Sequence, residues 1–204
     1  DHLVILYNPH FSNMKSCMEC ILKPKLRGRV TLVELDAPTR GAAETVLLGI
    51  EGMPAALRNR PIMLCDGDTF YTADIVSLYR EVAKNKRNGI FCFKDTQPKP
   101  IYSYITVGGE GLVKDIKEKV KISDLANSGC YSFIDAASLA KFCERIIEEA
   151  KTQSNQDGVG EFYTSGVIKL MLAEGHPFQA IELQKNDMHV LGTPGFCCCP
   201  SLPH

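Results

Sequence analysis

No apolar run in this 204-residue chain approaches the roughly 20 residues that a bilayer-spanning helix needs, and no basic-then-apolar leader opens it. An excess of either charge is missing too. The formal net charge is −1, which leaves no electrostatic case for nucleic acid or an anionic membrane as the main partner. A disulfide framework is equally unsupported. The nine cysteines are an odd number, scattered through apparent strands (Cys65, Cys92, Cys130) and helices (Cys17, Cys20, Cys143), a pattern that predicts reduced, mostly buried thiols and a cytoplasmic protein. Cys17-x-x-Cys20 has no second Cys-x-x-Cys or spaced His pair to complete a zinc site, so packing within an amphipathic helix is the expected role. His2, His10, His176, His189 and His204 show no metal-ligand spacing, and none is assigned to catalysis. Internal repeats and a dividing linker are absent as well, which predicts one domain over 1–194 followed by a frayed tail over 195–204 that carries Cys197, Cys198 and Cys199.

What is present is a globular composition, 45% hydrophobic and 23% charged, with short β-rich runs alternating with helical periodicity. Strands are expected over 3–7, 30–35 and 62–65, each followed by a helix, over 14–22, 42–50 and 74–83 respectively. Such alternation predicts an α/β fold with a mainly parallel, helix-flanked sheet. The pattern then changes. Runs over 90–93, 102–107 and 113–120 follow one another without a helix, and Gly108-Gly-Glu-Gly111 signals a hairpin, so an antiparallel excursion is expected on the sheet. A strand over 129–134, helices over 136–151 and 162–174, and strands over 178–183 and 189–191 complete the expectation.

Pro61-Ile-Met-Leu-Cys-Asp-Gly-Asp-Thr69 ends an apolar strand with two carboxylates, Asp66 and Asp68, flanking Gly67. Ligands of open α/β sheets collect at strand carboxyl ends. Paired hard oxygen donors suit Mg²⁺, which binds one or two carboxylates together with substrate phosphates. The same residues also suit a plain strand-to-helix turn, with Thr69 or Thr72 capping a helix from Ala73.

Five segments in order resemble the sugar-1-phosphate nucleotidylyltransferases, the nucleotidyltransferase branch of the GT-A fold. Pro38-Thr-Arg-Gly-Ala-Ala-Glu-Thr-Val46 is similar to that family's base-reading Gly-Thr-Ala loop, and Leu64-Cys-Asp-Gly-Asp68 to its metal-binding Gly-Asp. Lys117-Glu-Lys-Val120 is similar to Glu-Lys-Pro, and Ala126-Asn-Ser-Gly-Cys-Tyr131 to the Asn-x-Gly-x-Tyr sugar pocket. Gly160-Glu-Phe-Tyr163 and Leu191-Gly-Thr-Pro194 resemble the sugar-contacting Glu and the closing Gly-Thr-Pro. The resemblance implies Gly41, Ala42, Ala43, Glu44, Asp66 and Gly67 as nucleotide contacts, and Glu118, Asn127, Gly129 and Glu161 as sugar contacts. It also implies Asp66 and Asp68 as Mg²⁺ ligands, and Asp68 with Lys119 as the catalytic pair. The wording of the late segments is nearest to the branch of capsule and surface-polysaccharide pathways.

On the residues alone, Gly41 also suits a turn before a capped helix, Glu118 and Lys119 a solvated charge run, Tyr131 the core, and Glu161 a helix start that favours an acid. Glu118 and Lys119, adjacent on a strand, are expected on opposite faces unless a bulge intervenes. The family's second metal-binding Asp corresponds to Val190, and its Gly-x-Gly-x-Arg triphosphate loop has no counterpart in the sequence. The expected partners are a nucleoside triphosphate or nucleotide-sugar and a sugar phosphate, with a homo-oligomer compatible. The expected reaction is NTP plus sugar-1-phosphate to NDP-sugar and pyrophosphate, impaired in this chain by the missing loop. A non-catalytic nucleotide or sugar-phosphate sensor and a GT-A glycosyltransferase are the alternatives.

Overall fold

The computed structural model describes residues 1–8, 13–154 and 160–192. In chain order it contains β1 (Leu3–Tyr7), α1 (Met14–Leu26), β2 (Val30–Glu34), α2 (Ala42–Gly52), β3 (Ile62–Cys65), β4 (Thr69–Tyr71) and α3 (Ile75–Lys84). There follow β5 (Asn88–Lys94), β6 (Ser103–Val107), β7 (Val113–Glu118), β8 (Leu125–Phe133) and α4 (Ala136–Glu148). The chain continues through β9 (Gln153–Ser154), β10 (Gly160–Glu161), α5 (Thr164–Ala173), β11 (Phe178–Glu182) and β12 (Met188–Val190). Two compact units share these elements: Asp1–Arg60 with Asp135–Leu170, and Pro61–Ile134 with the segment from Met171 onward.

In the first unit β1 and β2 pair in parallel, Leu3 opposite Val30 through Tyr7 opposite Glu34. Helix α4 begins where the Asp135 carboxylate accepts the Ser138 N–H, a cap worth about 1 kcal/mol. Ala136, Leu139, Phe142, Cys143 and Ile146 then recur at helical spacing and are buried. Helix α1 is different. It contains Pro24, buries none of its residues and leaves Cys17 and Cys20 exposed, so the packing role expected for that cysteine pair does not hold.

The second unit is built on a sheet ordered β11-β5-β8-β6-β7, with β3 also pairing β8. The α/β class, the helix-flanked sheet and the antiparallel hairpin β6–β7 are as expected. The mainly parallel direction expected does not hold in this sheet: only β11 runs parallel to its neighbour β5, while β8 runs antiparallel to β3, β5 and β6, and β7 antiparallel to β6. Strand β5 is buried from Asn88 to Phe93, which explains its unbroken apolar run. Asp74 caps α3 by accepting the Ser77 N–H at 3.0 Å, and Ile75, Leu78 and Tyr79 pack on the cluster of Phe91, Cys130 and Leu183. Thr69 and Thr72 therefore do not cap that helix. Thr69–Tyr71 instead forms β4, too short to show a period of its own, and pairs antiparallel with β12.

Candidate functional site

In the first unit, Gly41 precedes α2 with φ 141° and ψ 176°, a conformation essentially reserved for glycine. A Cβ there would lie 2.6 Å from both the backbone N and O of Phe162. Phe162 is zipped onto this loop, its N–H donating to the Arg40 carbonyl at 3.1 Å and its carbonyl accepting the Ala43 N–H at 2.8 Å. The Arg40 guanidinium lies 5.4 Å from the Phe162 ring centroid, within cation–π range. Glu44 is engaged as well. Its carboxylate accepts the Arg40 backbone N–H at 2.6 Å and the Arg40 guanidinium at 2.9 Å, and that hydrogen bonding holds the carboxyl below its usual range. Ala42 is exposed and Ala43 buried. Of these expected nucleotide contacts, Ala43 thus has its amide spent on Phe162. Glu161 lies in β10, opposite Gln153 and beside Phe162, so it is neighbour to the Gly41 loop and not the first residue of a helix.

In the second unit β3 delivers Asp66, Gly67 and Asp68 to solvent, all three exposed. The Asp66 N–H donates to the Gly129 carbonyl at 3.1 Å. Gly129 has φ 82°, and a Cβ on it would collide with the Asp66 carboxylate. Gly192 stands in the same relation to the Asp68 carboxylate, and the Leu191 N–H donates to the Asp68 carbonyl at 2.6 Å. A side chain at either glycine would force the facing carboxylate to move. Gly67 meets no such demand, since a Cβ there would touch nothing within 4 Å. The Asp66 carboxyl is pushed up to about 6, first by loss of hydration and then by the Asp68 charge. Asp66 keeps a solvent-exposed surface, so this loss of hydration comes from atoms crowding one side of the group and not from closure to water.

Strand β8 loses register against β5 between Ile90 and Cys92, where Asn127 to Tyr131 oppose a shorter stretch of the partner. Such bulges re-aim side chains. Asn127 is buried at 4% exposure and fixes the irregularity, its Oδ1 accepting the Gly129 N–H at 3.0 Å and its Nδ2 donating to Ser103 Oγ at 3.2 Å. Burial holds the Tyr131 hydroxyl in its protonated form, reinforced by the charges of Asp66 and Glu118, while hydrogen bonding with Ser103 and Asn127 acts the other way. Asp66, Glu118, Asn127, Gly129 and Tyr131 therefore form one cluster. The sequence reading left Tyr131 in the core and Ser103 unassigned. The Asn-x-Gly-x-Tyr wording was the sequence signal that groups Tyr131 with Asn127 and Gly129. Glu118 ends β7, and Lys119 adopts φ 52° with its N–H donating to the Tyr102 carbonyl at 2.9 Å. Alternation across a continuous strand, the basis for setting these two residues on opposite faces, does not apply past Glu118.

Val190 pairs with Thr69 across β12 and β4, next to Asp68. Among the described residues no group of three His, Cys, Asp or Glu side chains gathers at metal-binding distances. The hollow lined by Leu78, Val82, Arg87 and Gln179 shares no residue with the acidic cluster. Thr193, Pro194 and the three tail cysteines lie outside the described residues.

A helix-flanked sheet whose strand β3 ends in a paired-acid loop defines an α/β protein of the kind that collects ligands at strand carboxyl ends. The nucleotidyl transferase family model matches residues 7–176, and the chain belongs to that family. Among solved structures, a nucleoside-diphosphate-sugar pyrophosphorylase from Vibrio cholerae RC9 matches at 21% identity and TM-score 0.70, over 94% of this chain and 77% of that one. A protein designated a glucose-1-phosphate thymidylyltransferase, from Bacillus anthracis and in complex with a sucrose, matches at 18% identity and TM-score 0.70, over 95% and 72%. These likenesses establish the fold. No curated protein sequence matches the chain. No helix among the described residues is long and apolar enough to cross a membrane.

Proposed function

We propose that this chain binds a nucleoside triphosphate and a sugar-1-phosphate and joins them as an NDP-sugar with release of pyrophosphate. The observation that carries the reading is the gathering of Asp66, Glu118, Asn127, Gly129 and Tyr131 at the end of β3, inside the span matched by the nucleotidyl transferase family. The sugar side of that cluster is written in its chemistry. Glu118 is our candidate acceptor for sugar hydroxyls, and Gly129, whose own N–H and carbonyl are taken by Asn127 and Asp66, is our candidate for keeping that floor clear of a side chain. Lys119, which follows Glu118, is our candidate for countering phosphate charge, and the Gly41 loop for meeting the flat face of a base.

Asp66 and Asp68 fit Mg²⁺: both are hard carboxylate donors, and besides the loss of hydration that mainly raises the Asp66 pKa, the Asp68 charge adds a repulsion that a bound cation would offset. When bound, the ion supplies charge neutralisation at the reacting phosphate. The chain's own residues then position the sugar phosphate in line with the α-phosphorus, and phosphoryl chemistry of this class depends on such positioning more than on a protein nucleophile. The polysaccharide pathway and the cytoplasmic setting belong to the same proposal.

Calorimetry of the full chain with Mg²⁺ and a panel of NTPs, alongside pyrophosphate release with sugar phosphates, tests this. Asp68→Ala is expected to weaken Mg²⁺-dependent nucleotide binding at least tenfold, about 1.4 kcal/mol. Unchanged affinity would remove Asp68 from the site. Val190 beside Asp68, where a further carboxylate would complete the grip, favours one second reading, a sensor that binds the same ligands without turnover. Binding with no pyrophosphate released selects it, and slow hydrolysis of an intact NDP-sugar would select a glycosyltransferase instead.

A further inference from the structure

We propose that Cys65 and Cys130 are a redox-responsive thiol pair that closes to a disulfide under peroxide, at the strand end that carries the acidic loop. The two residues face each other directly across β3 and β8, and their sulfurs lie 3.5 Å apart. Position in the ladder makes this pairing special. Asp66 and Gly129, the next pair along, share a backbone hydrogen bond, so alternation leaves Cys65 and Cys130 as a non-hydrogen-bonded pair. Opposed residues of that kind have Cα atoms about 4.5 Å apart, inside the range of roughly 4.4 to 6.8 Å that a disulfide spans. Bond formation brings the sulfurs to about 2.05 Å, a closure that side-chain rotation supplies. Cys65 is exposed and free to meet an oxidant, whereas Cys130 is fully buried and meets only what Cys65 passes to it.

The chemistry is a two-step oxidation. The Cys65 sulfur attacks a peroxide oxygen, forming S–O as O–O breaks, and the departing oxygen leaves as water once it has taken up the thiol proton. The Cys130 sulfur then attacks the Cys65 sulfenic sulfur, forming S–S as S–O breaks, with a second water leaving on the Cys130 proton. Each sulfur loses one electron, and one peroxide becomes two waters. Reduction by an external dithiol reverses the change. Because Asp66 directly follows Cys65, thiol state and the seating of that carboxylate are linked through a single peptide bond.

The test uses the whole chain treated with hydrogen peroxide, capped with N-ethylmaleimide, digested and read by mass spectrometry. A linked peptide joining Cys65 to Cys130 is expected, two hydrogens lighter than the sum of its parts, lost on dithiothreitol treatment and absent in Cys65→Ser. Cys65 and Cys130 recovered separately after oxidation, or Cys65 joined instead to Cys17, Cys20 or a tail cysteine, would overturn the proposal. Wild-type protein carries the primary measurement, so a folding defect in a Cys130 variant does not blur it. The readout needs neither nucleotide nor metal, and its failure leaves the nucleotidyl transfer reading standing.

Discussion

The two loops that precede ligand-class contacts solve opposite problems. Before α2, polar groups are spent on the protein itself: Arg40 grips Glu44, Phe162 takes the Ala43 amide, and Gly41 exists so that Phe162 can approach. After β3, charge is accumulated, and every influence on Asp66 runs toward holding a proton. A satisfied loop is rigid scaffolding that offers shape. A loop that accumulates charge keeps its carboxylates under mutual repulsion, which is the feature the proposed Mg²⁺ role rests on.

Substitution at the two glycines breaks this contrast most directly. Gly41→Ala must move the Phe162 backbone and adopt a glycine-only conformation, so we expect a loss of about 3 kcal/mol in urea unfolding. A loss under about 0.5 kcal/mol would show that the Phe162 zipper is dispensable. Gly129→Ala costs less, about 1 to 2 kcal/mol for its left-handed backbone, because the obstacle is a solvent-facing carboxylate that can swing away. The same substitution should cut Mg²⁺-dependent nucleotide affinity more than it cuts stability, and an effect on stability alone would place Gly129 outside the site. The smallest effect sharpens the picture of the buried thiols. Burial pushes Cys92 and Cys143 up to about 12 from the ordinary 9.0, so the folded state holds protons that the unfolded chain releases first. The contribution of these two thiols to stability is therefore fully present below pH 9 and is lost as pH rises toward 12. Melting temperature should fall across that window, and the fall should shrink in a Cys143→Ala variant.

Much of the fold could be read from periodicity because its elements are long or strongly patterned. β1 and β3 match their expected limits, and the apolar face of α3 is the one that packs. The misses are short. β4, β9 and β10 have two or three residues each and exist through their pairing partners, which local sequence does not encode. At the site, residue types were legible where chemistry demands them, as with Asp66 beside Gly129. Backbone commitments were not: the Ala43 amide is lost to Phe162, more than a hundred positions away, and the turn at Lys119 depends on the Tyr102 carbonyl. Exposure was also hidden. Cys17 and Cys20 sit on a helix with no fully buried residue, exposed beside a half-buried side carrying Met14, Met18, Leu22 and Leu26, and a hydrophobic pattern does not reveal how completely it is covered.

β8 answers to three neighbours at once, meeting β6 at Ala126, β5 on both sides of its register break and β3 at its far end. A nine-residue segment in that position is a keystone whose tolerance to change is set by the most demanding of its partners. Variation across this protein should consequently thin out along Leu125–Phe133 well before it does in either terminal strand.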